Sequence, residues 1–219
     1  VNDPYTTPEL DRAALISIDT QRDVLDGGAL EIAGTSAALP AMAALARAFR
    51  SARRPIVHVV RIYERDGSNV DSCRRASVQG GSEMLARDAE GTELARELLP
   101  ENAPALDSAE LLSGRMQRLG PAEHALYKPR WGAFYDTPLE AELRAREIST
   151  LVFCGCNFPN CPRTSIYEAS ERDFRVVLVR DAVSGLYERG ERELRGIGVH
   201  VTDSGELLAA LARASAAPV

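Results

Sequence analysis

Apolar residues in this chain fall into short unbroken runs separated by stretches of helical spacing. Ala13 to Ile18 is one such run and ends at Asp19; Pro55 to Val60 is a second, rich in β-branched residues, and ends at Arg61. Runs of this length without polar alternation read as strands buried on both faces. Between them Leu39, Met42, Ala43, Ala46 and Phe49 recur at helical spacing over Leu39 to Arg50, with Arg47 and Arg50 in the last turns, where the helix dipole favours cations. The alternation returns later. A strand closes at Tyr127 and Lys128, a helix follows over Pro138 to Arg146, then a strand over Thr150 to Phe153, a helix over Pro162 to Asp173 and a strand over Arg175 to Val179. A short helix over Arg192 to Arg195 and a strand over Val199 to Thr202 complete it, and Asp203-Ser204-Gly205-Glu206 resembles a capping box opening a last helix, Leu207 to Ala214, with an Ala217-Pro218-Val219 tail expected to fray.

This repeated βα order predicts an α/β fold: a three-layer α/β/α, Rossmann-like domain with a six-stranded, mainly parallel sheet, occupying residues 1–219 as one unit. The stretch from Glu64 to Glu123 departs from the pattern, because Gly67, Gly80, Gly81, Gly91, Pro100, Pro104, Gly114, Gly120 and Pro121 interrupt it. Its apolar residues are too scattered for a second core, so it is expected to serve as a lid or an interface.

Composition narrows the partners. With 45% hydrophobic and 26% charged residues the chain is an ordinary folded one, and a formal charge of -6 opposes a protein built to coat phosphate backbones, so nucleic acid is not an expected partner. No apolar run approaches the roughly 20 residues needed to span a bilayer. The start, Val1-Asn2-Asp3-Pro4-Tyr5, has neither the basic nor the apolar part of a signal peptide, and a cytoplasmic, membrane-free location is expected. Among 26 basic residues only Lys128 is a lysine. Lysine is a compact charge that can change protonation state, whereas arginine is a fixed fork, so Lys128 is either a chance survivor on the surface or a residue whose site needs that chemistry.

Open α/β sheets bind ligands at strand C-termini, and three strands here end in reactive groups. Asp19 ends the first and Lys128 the third. Beyond the fourth lies Cys154-Gly155-Cys156-Asn157-Phe158-Pro159-Asn160-Cys161-Pro162-Arg163. Pro162 suits the first helical position, which sets Cys161 beside free N–H groups and the positive helix end; such a place is expected to lower the thiol pKa and favour the thiolate. A buried inert cysteine is the alternative, and Asp19 and Lys128 favour the nucleophile.

The segments Leu15-Ile16-Ser17-Ile18-Asp19-Thr20-Gln21, Lys128-Pro129-Arg130-Trp131-Gly132-Ala133-Phe134 with Thr137-Pro138-Leu139, and Gly155 through Cys161 resemble the isochorismatase-like cysteine hydrolases, a superfamily that includes nicotinamidases and the carbamoylsarcosine and ureidoacrylate amidohydrolases. The resemblance covers nearly the whole chain. It implies a catalytic triad of Asp19, Lys128 and Cys161, a cis peptide at Cys156-Asn157, and an oxyanion hole from the N–H groups of Asn157 and Cys161. It further implies hydrolysis of a C–N bond in a small amide, imide or carbamoyl compound through a thioacyl-enzyme, with no cofactor. A vinyl-ether hydrolase without a nucleophilic thiol, and a non-catalytic binding module on the same fold, are the competing readings. A homo-oligomer, dimer or tetramer, is expected from the resemblance and from Met84, Leu85, Leu94, Leu98 and Leu99 of the excursion, more apolar surface than one small domain is expected to bury alone.

Other signals carry less. Cys154, Cys156 and Cys161 lack the paired spacing and fourth ligand of a metal cluster. Metal-using nicotinamidases resembling this chain take an Asp-x-His pair and a further His after the second strand, where this chain reads Arg61-Ile62-Tyr63-Glu64, so no metal is expected. His58 and His200 alternate into strands, and Asp66-Gly67-Ser68-Asn69 reads as a turn. Arg61, Arg130 and Arg163, with Trp131 and Phe158 as walls, are the candidate substrate-binding residues for a carboxylate or other electron-rich group; pairing of these guanidiniums with structural acids such as Glu168 or Asp136 is the alternative.

Overall fold

The apolar runs form the strands of one sheet in the computed structural model, which describes residues 3–216. In chain order the elements are β1 (Ala13–Ile18), α1 (Thr35–Ser51), β2 (Ile56–Val60), α2 (Ser72–Gln79), α3 (Ser108–Leu112), β3 (Gln117–Gly120) and β4 (Glu123–Tyr127). They continue with α4 (Leu139–Ala145), β5 (Thr150–Gly155), α5 (Cys161–Ser170), β6 (Arg175–Val183), α6 (Glu188–Gly196), β7 (His200–Thr202) and α7 (Ser204–Ala216). The tail Ala217-Pro218-Val219, expected to fray, and Val1-Asn2 lie outside the described residues.

The sheet has seven strands in the order β3-β4-β2-β1-β5-β6-β7, parallel except for β3, which runs antiparallel to β4. That hairpin strand is the one beyond the expected six. Four residues with alternating burial, inside a stretch punctuated by Gly and Pro, present no apolar run to read. The chain builds outward from β1 through β2 to β4, then returns to lay β5 against the other side of β1. The direction of winding reverses between β1 and β5, which opens the crevice where such sheets hold their ligands.

Alternation along the strands supplies two faces. Leu15, Val152 and Val177 pack with Met42 and Phe49 of α1 and Leu207 and Leu211 of α7. Ile16, Ile18, Phe153 and Leu178 face Leu139 and Leu143 of α4, Ile166 of α5 and Leu194 of α6. A three-layer α/β/α arrangement results.

The excursion over 64–123 is not structureless. Leu94, Leu111 and Leu119 pack with Val60 and Ile62, and Val70, Val78, Met84 and Leu85 with Tyr63. Met84, Leu85, Leu94 and Leu98 are thus buried within the chain, and Leu99 is half-buried against it. This corrects the expectation that these side chains need a second copy to cover them: two small clusters at the end of β2 take Met84, Leu85, Leu94 and Leu99, and Leu98 packs on the α1 face of the sheet. Gln21 ties the segment down, its Nε2 donating to the carbonyls of Arg61 (2.8 Å) and Thr92 (2.7 Å).

Candidate active site

Asp19 follows β1 with φ +50, a left-handed conformation uncommon outside glycine but tolerated by Asp. Its backbone is held on both sides: its N–H donates to Val59 O (2.9 Å) and its carbonyl accepts from Cys156 Sγ (3.2 Å). Gly155 makes the second contact possible. At φ +119 a Cβ on it would lie 2.1 Å from Ile18 O, so only glycine lets the turn after β5 press against the end of β1 and hand the Cys156 N–H to Ile18 O (2.9 Å).

Lys128 follows β4, its N–H donating to Val60 O (3.0 Å), and its side chain is fully buried. Nζ donates to Asp19 Oδ2 at 2.9 Å and to Arg130 O at 3.3 Å. Asp19 Oδ1 is buried with no hydrogen-bond partner among the described residues. Cys161 opens α5 and is 4% exposed, with Asp19 at 6%. The structure therefore brings Asp19, Lys128 and Cys161 together at the switch point.

The helix start does not lower the Cys161 thiol as expected. Burial first, and the facing Asp19 carboxylate second, push it up to about 11, against the pull of Lys128 and Arg61. The physical reason is that a nearly enclosed sulfur loses its solvation and faces a carboxylate, both of which disfavour the thiolate. The group at neutral pH is a thiol beside an unpartnered carboxylate oxygen. Cys154, pushed up to about 12, and Cys156 are likewise raised by burial.

Every peptide bond among the described residues is trans, Cys156-Asn157 included, which corrects the cis bond that the resemblance implies. Trans is the form a non-prolyl amide prefers by about 3–4 kcal/mol. The turn is closed instead by Phe158 N–H to Ser184 O (2.8 Å) and Asn160 N–H to Asn157 O (3.1 Å), and neither the Asn157 nor the Cys161 N–H is used by the turn's backbone bonds.

Of the candidate substrate residues, Arg61 joins the cluster. It follows β2, the strand between those carrying Asp19 and Lys128, and its side chain is 1% exposed. Trp131 is half-buried with the Arg74 guanidinium 5.5 Å over its ring. Arg130 is exposed and donates to Asn69 O and Pro129 O. Two candidates are corrected. Arg163 binds Glu193 and Tyr187 Oη, because two residues along a helix turn it about 200° from Cys161. Phe158 is sealed in the core, edge-on to Tyr187 at 5.5 Å. Glu168 pairs with none of the three candidate arginines; it accepts from Phe134 N–H (2.9 Å) while Ser165 Oγ accepts from Ala133 N–H (3.0 Å), so α5 clamps the segment after Lys128.

Asp71, Arg74 and Tyr63 are residues of the site that the sequence reading missed. Asp71 Oδ2 lies 3.0 Å from Arg61 Nη2 and 3.8 Å from Arg74 Nη1, and Tyr63 Oη donates to it at 3.1 Å. The one signal was position, and only for Tyr63, which stands just beyond β2. A divalent metal does not suit this donor set. The end of β2 presents the buried Arg61 cation, His58 is bonded to Glu123 within the sheet, and no three His, Cys, Asp or Glu side chains among the described residues are grouped to hold an ion.

The fold and site define a doubly wound α/β protein with a thiol, a carboxylate and an ammonium buried together at its switch point. Residues 13–204 match the isochorismatase domain, and the chain belongs to that family. It is 26% identical to a probable inactive nicotinamidase of Arabidopsis thaliana over 85% of this chain and 89% of that one. It is 29% identical to the ureidoacrylate amidohydrolase RutB of Methylorubrum extorquens over 80% of this chain and 70% of that one. A solved isochorismatase family protein from Desulfovibrio vulgaris superposes with a TM-score of 0.78 at 29% identity, covering 92% of this chain and 99% of that one.

Proposed function

We propose that the protein is a cysteine hydrolase that cleaves a C–N bond in a small amide, imide or carbamoyl compound, without a metal and through a thioacyl-enzyme. The observation that carries this reading is the unpartnered Asp19 Oδ1, buried beside a protonated Cys161 while Lys128 occupies Oδ2. In the first step the thiol proton passes to Asp19 as sulfur attacks the carbonyl carbon, and Lys128 offsets the negative charge that moves from carboxylate to sulfur. The carbonyl oxygen takes the unused N–H groups of Asn157 and Cys161. Asp19 returns the proton to the departing nitrogen, then takes one from the water that hydrolyses the thioester and restores the thiol.

A vinyl-ether hydrolase would leave the thiol without a task. The binding-module reading draws on the similarity to the probable inactive plant protein. A screen of primary amides, N-carbamoyl compounds and cyclic imides, read by release of ammonia or amine, separates the readings: turnover that Cys161→Ala abolishes is expected, and a silent screen with a folded protein would leave the binding module. Self-association as a dimer or tetramer belongs to the same proposal on the family resemblance, and light scattering at micromolar concentration tests it.

A further inference from the structure

The end of the sheet opposite the catalytic residues holds a cavity of about 430 Å³, between the C-terminus of α1 and the starts of β2 and β4. Sites for small organic ligands run to roughly 300–1,000 Å³, so the space is of the right order. Ile56, Pro121 and Ala122 line it together with Arg50, Arg53 and Arg54, and its surface is mainly apolar, the arginines contributing their alkyl stems. Ile56 N–H donates to Ala122 O (2.9 Å), which fixes the two strand starts side by side.

The three arginines are not equivalent. Arg50 is occupied: its Nε and Nη2 donate to the two oxygens of the buried Glu123 (2.8 Å each), and Nη2 also to Leu98 O (2.8 Å). Neither the Arg53 nor the Arg54 side chain makes a hydrogen bond or ion pair with any described residue, and Arg53 is exposed and Arg54 half-buried. The backbone sets both beside the cavity. α1 ends in a Schellman turn, with Arg54 N–H donating to Phe49 O (2.9 Å) and Arg53 N–H to Arg50 O (3.1 Å), and Arg53 takes φ +54 at the left-handed position that glycine usually fills. The helix dipole favours cations in the last turn, which accounts for Arg50. It does not account for an arginine, unpaired, at the glycine position. Three guanidiniums thus stand around one carboxylate in a chain whose formal charge is -6.

We propose that this cavity is a binding site for a small aryl carboxylate. The apolar body lies on Ile56, Pro121, Ala122 and the arginine stems, and the two oxygens accept from the Arg53 and Arg54 guanidiniums, whose planar forks suit a carboxylate. The site is separated from Arg61 and the catalytic residues by the length of β2, and it is independent of the hydrolase reading: its test needs no turnover.

The probe is 2-naphthoate, titrated into the native protein by fluorescence beside 2-acetylnaphthalene, a neutral ketone of nearly the same shape. The acid should bind at least tenfold more tightly than the ketone, and its affinity should fall as salt rises. Arg53→Gly removes a guanidinium while placing the preferred residue at φ +54, so it should keep or raise Tm and weaken naphthoate at least fivefold. Arg54→Gln should weaken it by a similar factor. Hydrogen exchange should place the protection caused by naphthoate at residues 50–56 and 118–123. Equal affinity for acid and ketone, undiminished binding when both arginines are replaced, or protection confined to the segments around Asp19 and Cys161 would overturn the proposal. So would a particle mass that changes in light scattering with either substitution, since a second copy of the chain would then be what covers the cavity.

Discussion

Lys128 Nζ donates to Asp19 Oδ2 at 2.9 Å while Asp19 Oδ1, also buried, has no partner. One oxygen of the carboxylate is thus committed to holding charge and the other is available to a proton. The division makes the pair an electrostatic lever on Cys161, because the carboxylate raises the thiol pKa and the ammonium lowers it.

Asp19→Asn should therefore separate reactivity from turnover. Losing the carboxylate charge lowers the Cys161 pKa, so alkylation of Cys161 at pH 8, measured in a Cys73→Ser background, should quicken. Losing the base should reduce amide turnover by about 10²–10⁴-fold. A variant that alkylates more slowly than the parent, or hydrolyses as fast, contradicts the role assigned to Oδ1.

The pH dependence of alkylation in the native protein follows from the same lever. With the Cys161 thiol pushed up to about 11, chiefly by burial and then by Asp19, the neutral form dominates at every lower pH. Since only the thiolate reacts, the rate at Cys161 should climb close to tenfold per pH unit from pH 7 to pH 10. A plateau below pH 9 would mean that the helix end outweighs burial after all.

Most of the strands and the three central residues were legible because each leaves a local mark. Ala13 to Ile18 is an apolar run with an acid at its end, Pro162 marks a helix start, and Lys128 stands alone among arginines. What escaped the sequence depends on long-range packing. Asp71 and Arg74 reach the site because the chain after β2 folds back, where Asp71 meets Arg61 and both Asp71 and Arg74 meet Tyr63 Oη, and no spacing announces that return. Burial of Cys161 is likewise a property of everything around it, and no local mark announces that its thiol pKa is raised. Arg163 misled for a simpler reason: adjacency to a nucleophile in sequence is divergence around a helix.

Away from the site, Glu123 joins three elements. It accepts from Arg50 through both oxygens (2.8 Å each) and shares a 2.8 Å bond with the buried His58. Burial works to raise its pKa, but the bonds from His58 and Arg50 win and hold it below the ordinary carboxylate value. A depressed folded value means that its stabilisation is present above the unfolded pKa and is lost as pH falls through the folded one. Glu123→Gln should cost about 3 kcal/mol at pH 7 by leaving Arg50 and His58 underpaired. Denaturant titrations should show that cost shrinking as pH drops below the carboxylate range. A cost that is the same at pH 7 and at pH 3 would refute the linkage.

Lys128 tests whether the site needs an ammonium or only a positive charge. The side chain is fully buried between Asp19 and the carbonyl of Arg130, so a guanidinium there must displace one of them. Overpacking of this kind costs about 1–3 kcal/mol, and a shift of about 1 Å in Asp19 or in the attacked carbonyl can cost on the order of 100-fold in rate. Lys128→Arg is expected to fold with a lowered Tm and to lose at least that much turnover. Lys128→Met keeps the length and removes the charge, leaving Asp19 unpaired. Since the ammonium pulls the thiol pKa down, Cys161 in this variant should alkylate more slowly than in the parent, the opposite of Asp19→Asn. Opposite signs for two neutralising substitutions on one ion pair are a result that simple loss of packing does not produce. Near-parental turnover in Lys128→Arg would reduce the single lysine of the chain to an accident of composition.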